Sequence, residues 1–170
     1  MASGVPARLS RQLFPLLLNP VTQEPYLRLP SPHENIIITP PRLTDAHTVI
    51  GYMNDPKVYE TLEGPPYPYL PEHADFWLNM VKKESDDILK ELYDAAEKDS
   101  EPIFVGGCPV RSLREVKEDG SDVFIGDIGV FRARRFSHHR DEEKEAELLE
   151  KNKTLPVGSP EIVWEIGSML

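Results

Sequence analysis

Apolar and polar positions along this chain keep two different rhythms. Ile36-Ile37-Ile38-Thr39 is a β-branched run closed by Pro40-Pro41, and it reads as a strand. Thr44 then suits an N-cap, with Asp45 at the positive end of the helix that follows. Ala46, Val49, Ile50 and Met53 supply that helix with an apolar face at helical spacing. Asn54-Asp55-Pro56 ends it, and a short turn over Lys57-Val58-Tyr59-Glu60 comes next. Residues 63–69 form a loop stiffened by Pro65, Pro66 and Pro68, and its tyrosines offer amphipathic rings. Pro71 suits the first turn of a helix reaching about residue 97. Its apolar set is Phe76, Trp77, Met80, Val81, Ile88, Leu89, Leu92 and Tyr93, and Ser85-Asp86-Asp87 is where it would break in two.

Strand-like segments follow. Ile103-Phe104-Val105 opens one that reaches about Leu113, with Gly106, Gly107 and Pro109 implying a bulge or an edge position. A turn over residues 117–121 joins it to a second strand from Val123 to Phe131, so the pair reads as a hairpin. The last strand, Ile162 to Leu170, is apolar on both faces. Its period of two puts Val163, Glu165, Gly167 and Met169 on one side. Residues 1–33 are Pro-rich and read as an irregular arm, anchored by the leucines at 16–18 and by Leu27 and Leu29.

Charge changes the picture between these segments. A basic run from Arg132 to Arg140 precedes a mostly acidic one from Asp141 to Glu150. Residues 132–160 therefore read as a charged insertion, an exposed helix or a partly disordered excursion. At 170 residues the chain is long enough for one domain with a core, and no apolar stretch approaches the length that spans a bilayer. A net charge of −10 argues against nucleic acid and anionic membranes as partners. The lone Cys108 excludes an internal disulfide and a cysteine-built zinc site, which fits a reducing, cytoplasmic setting. Met1 to Gln23 holds no acid but has Arg8 and Arg11, the composition of a mitochondrial transit peptide. Pro6, Pro15 and Pro20 interrupt such a helix, so an arm packed on the domain is the better reading.

The ordered segments then meet particular residues. Ile38-Thr39-Pro40-Pro41-Arg42-Leu43-Thr44-Asp45-Ala46 resembles the opening of GNAT acetyltransferases, in the branch that acetylates protein N-termini and ribosomal proteins. Met53-Asn54-Asp55-Pro56-Lys57-Val58 resembles that branch's second landmark, and Phe124-Ile125-Gly126-Asp127-Ile128-Gly129-Val130 its central strand. Glu165-Ile166-Gly167 looks like the opening of the next strand, and the Pro- and Tyr-rich loop and long insertion look like a fungal-type version. The resemblance implies an α+β fold of the three-layer type, with a mostly antiparallel sheet flanked by helices. Residues 34–170 would be a partial domain of that fold, preceded by the arm at 1–33. It implies acetyl-CoA as co-substrate, no metal, and an amine-bearing peptide or small molecule as acceptor.

In that family the strand opening Glu-Ile-Gly leads to a glycine-rich loop whose amides hold the diphosphate of the cofactor. The sequence read here stops on Leu170 before such a loop, and Val105-Gly106-Gly107-Cys108-Pro109 has the wrong order for one. The expectation is a C-terminally truncated member, inactive alone. The alternative is a non-catalytic relative or incomplete gene product that self-associates through the unpaired edge of its final strand.

Within the resemblance, Glu165 matches a glutamate placed to act as general base, and burial among apolar neighbours would raise its pKa toward that role. The other reading is a structural glutamate. Met169 and Leu170 fall where backbone groups meet the acetyl and pantetheine portions. Tyr67 and Tyr69 fall in the loop lining the acceptor side, or form a packed hinge between helices. His138-His139 lacks a third ligand and reads as a solvated loop. Cys108 reads as a small buried apolar residue.

Overall fold

The computed structural model describes residues 7–62, 64–136 and 141–169. A short helix α1 (Ala7–Leu13) leads into strands β1 (Leu17–Leu18), β2 (Pro25–Arg28) and β3 (Ile36–Thr39). Helices α2 (Ala46–Met53), α3 (Pro56–Tyr59) and α4 (Pro71–Glu97) come next. Strands β4 (Ser112–Val116) and β5 (Asp122–Arg132), helix α5 (Glu142–Thr154) and strand β6 (Trp164–Met169) complete the described chain. The architecture is α+β. All neighbouring strands are antiparallel, and the six lie in the sheet in the order in which they occur in sequence.

One register slip sets the faces of the sheet. Leu113 pairs with Gly126 while Arg114 pairs with Phe124, so Ile125 has no residue opposite it. Such a bulge resets the alternation of a strand. Phe124 packs with Val49, Met53, Tyr69 and Ala74 beneath the helices. Ile125 and Ile128 instead join Ile38, Leu113, Leu27 and Leu29 in the core of the opposite face.

The arm is not irregular. Its leucines are apolar enough to extend the sheet by two strands: Leu27 pairs with Ile38 in β3, and Leu16, Leu27 and Leu29 pack into the core. Arg42 fastens the arm at another point, with Glu24 on one side and Asp122 of β5 on the other. Residues 103–111 form no strand, so β4 begins at Ser112 rather than at Ile103. Pro109 can donate no ladder hydrogen bond, and its carbonyl instead accepts from the Ser85 hydroxyl at 2.6 Å.

That same bond explains why α4 does not break at Ser85. The side chain turns inward and is buried. The buried stripe of α4 is Ala74, Leu78, Val81, Ser85, Leu89 and Leu92, whereas Phe76 is 73% exposed. Small residues let the helix lie close to the sheet, and the larger ring falls one position off that face. Thr44 does not cap α2. A single 3₁₀ turn, Leu43–Asp45, precedes that helix, and the Asp45 carboxylate accepts from the buried Arg114 guanidinium. α5 is an exposed helix capped by Asp141. Its buried Asn152 side chain donates to the Val163 carbonyl and accepts from the Val163 N–H, which fixes the approach to β6.

Candidate functional site

A cavity of about 360 Å³ lies where α2, the loop before α4 and the β5–β6 pair converge. Val49 and Met53 come from α2, Leu62 and Pro65 from the loop, and Trp77 from α4. Gly129 and Gly167 face each other across the two strands, and the Phe131 ring lies over both. A Cβ at Gly129 would come within 3.1 Å of that ring and of the Arg111 guanidinium. Glycine is needed here for close approach. The same close approach gives the pocket a flat aromatic floor.

Polar groups in the wall are few and placed. Arg111 donates from Nε and Nη2 to the two oxygens of Asp127, both at 2.8 Å, and its guanidinium lies 5.5 Å from the Trp77 ring centroid. Burial works to lower the Arg111 pKa, but the hydrogen bonds and charge of Asp127 outweigh it, and the group stays cationic. Arg134 stacks on Phe131 at 4.2 Å to the centroid. Tyr69 is held through its backbone, its N–H donating to the Asn54 side chain and its carbonyl accepting from it. Its side chain is 6% exposed, and burial pushes its phenol pKa up. Among the described residues the phenol oxygen has no hydrogen-bond partner.

A second hollow of about 630 Å³ adjoins the first and shares Trp77, Arg111, Phe131 and Arg134 with it. It is more polar: Glu84, Asp87 and Glu91 on α4 face Arg132 and Arg134 across it.

The sequence-derived candidates fall in different places. Glu165 pairs with Phe131 across the strands, and its Oε2 accepts the Arg134 backbone N–H at 3.0 Å. It is half-buried and flanks the smaller cavity without lining it. Met169 pairs through its backbone with Asp127, while Leu170, His138 and His139 lie outside the described residues. Tyr67 is exposed and packs on Tyr59, with ring centroids 4.3 Å apart. Tyr69 alone of the two tyrosines enters the cavity wall. Arg111, Asp127 and Phe131 were not anticipated. The signal that could have found them was glycine within the strands, Gly126 and Gly129 in β5 and Gly167 in β6. Among the described residues no cluster of His, Cys, Asp and Glu is arranged to hold a metal ion, and no helix is long and apolar enough to cross a membrane.

The chain matches no protein-family model, no curated protein and no solved structure.

Proposed function

We propose that this chain is a GNAT-type N-acetyltransferase protein, with the smaller cavity receiving an amine-bearing acceptor and β6 facing the thioester of acetyl-CoA. The observation that carries this reading is the mostly apolar pocket set against the last strand of the meander, whose outer edge pairs with no described strand. A concave apolar site with a few convergent polar groups is the usual form of a small-ligand site. The order of a strand, helices and three antiparallel strands also supports it.

In the proposed reaction the acceptor amine attacks the thioester carbonyl, the C–S bond breaks, and coenzyme A leaves as a thiolate. Glu165 takes the amine's proton. One of its oxygens is held by the Arg134 N–H, and the other has no protein partner among the described residues. The N–H and C=O groups on the outer edge of β6, which pairs with no described strand, would hold the pantetheine arm. Among the described residues no glycine-rich loop opens a helix, so no cradle for the diphosphate is on hand. Acetyl-CoA and acetyl-pantetheine are therefore expected to bind with similar, millimolar-range affinity. Calorimetric titration of both tests this. Absence of heat from either at millimolar ligand would reject the reading.

The open edge also favours a second reading, a non-catalytic module acting through strand pairing. Trp164 is 41% exposed and Ile166 67% exposed beside that edge. Such an edge recruits another strand, most directly that of a second copy. On this reading light scattering finds concentration-dependent dimers that Ile166→Lys abolishes. A monomer at high concentration would exclude it.

A further inference from the structure

The acceptor-site reading leaves open which amine is accepted, and the cavity wall speaks to that. Its volume, about 360 Å³, suits one amino-acid residue and part of the next rather than an extended segment. Its walls are aliphatic and aromatic: Val49, Met53, Leu62, Trp77 and Phe131. Two features set limits on what enters. First, the charges in the wall are spoken for or of the wrong sign for a basic side chain. Asp127 has both oxygens bound to Arg111, and Arg134 adds a cation with no carboxylate partner among the described residues. A lysine or arginine side chain would be desolvated there with no free anion in the wall, the flanking Glu165 being engaged by the acceptor amine itself. Second, Tyr69 is a wall residue whose phenol oxygen has no hydrogen-bond partner among the described residues and stays open to solvent. A hydroxyl open in a mostly apolar pocket is one of the few polar groups that can orient a ligand there. Desolvation keeps the phenol protonated, so it offers a donor.

We propose that this cavity reads the first side chain of a peptide acceptor and takes a medium-to-large apolar residue, with the Tyr69 hydroxyl donating to the peptide's first carbonyl. The inference rests on the acceptor-site reading, but side-chain selection is a binding property that needs no acetyl-CoA.

The experiment uses the chain carrying Trp164→Phe, so that Trp77 fluorescence reports on the cavity. The C-terminally amidated peptides Leu-Gly-Gly and Lys-Gly-Gly, each with a free amino terminus, are titrated without cofactor. The leucine peptide is expected to bind at least about tenfold more tightly, as burial of several methylene equivalents implies. In Tyr69→Phe, which keeps the ring and the Asn54 contacts, its affinity should drop by about five- to tenfold with the preference for leucine retained. A thermal melt confirms that this variant is folded. Equal binding of the two peptides, tighter binding of the lysine peptide, or an unchanged affinity in folded Tyr69→Phe would overturn the proposal. Those results are independent of acetyl-CoA. A chain that prefers leucine but ignores acetyl-CoA and acetyl-pantetheine keeps the pocket assignment and loses the acetyltransferase reading.

Discussion

Asp122 is held by two arginines that reach it from different parts of the chain. Arg42 donates to it at 2.8 Å and Arg114 at 3.1 Å, and Arg114 also donates to Thr39 and Asp45. Burial alone would raise the Asp122 pKa, but the hydrogen bonds and charges of Arg42 and Arg114 outweigh it and hold the carboxyl below its ordinary value. The sign of the stability effect follows. The folded state binds this proton less readily than the unfolded state, so the contribution is complete above the ordinary carboxyl range and is lost as pH falls through the lowered folded value. Urea melts between neutral pH and acid should show wild-type stability declining on the acid side. Asp122→Asn should be less stable at neutral pH by about 1–3 kcal/mol and should have a shallower acid decline. Equal slopes for the two proteins would mean that this carboxyl is not the group that titrates. At this scale the sequence was only partly readable. Tyr69 could be singled out because its loop is rigid and aromatic. Arg111 and Asp127 could not be paired, since Arg111 lies outside any strand and the bulge that resets the alternation of β5 ahead of Asp127 is invisible without the register.

Elements were more legible than single contacts where one period ran unopposed. The helices after β3, the β4–β5 hairpin and the final strand all follow from spacing. The arm was misread because prolines hide short strands, and its few leucines gain their order from the sheet they join. The strand start was misplaced because Ile103 and Phe104, apolar enough for a strand, are exposed. For α4, size misled: Phe76 is large and lies outside, while Ala74 and Ser85 are small and lie inside. The β5–β6 pair depends on its facing glycines in the same way. Gly129→Val should push Phe131 and Arg111 aside, costing about 1–3 kcal/mol in a denaturation series. It should also change the Trp77 emission. Unaltered stability and emission would show that Phe131 is not pressed onto this strand pair.

Across the whole molecule, two faces of one meander carry two different tasks. One is sealed by leucines from the arm and by the β3–β5 core. The other bears α2 and α4 and leaves between them and β6 a mostly apolar hollow beside a strand edge that pairs with no described strand. That juxtaposition, rather than any single side chain, is what suggests a thioester laid along β6 and an amine presented from the pocket. The sequence pointed to the same strand through Glu165-Ile166-Gly167, but it could not reveal that Gly167 is half of a glycine pair under an aromatic ring. The most direct test is to follow backbone amide resonances while acetyl-CoA is added. The account predicts shifts along β6, at Gly167 and Ser168, and at Gly129 across from it, with similar shifts from acetyl-pantetheine. Shifts confined to surfaces away from this strand pair, or none at millimolar ligand, would contradict it.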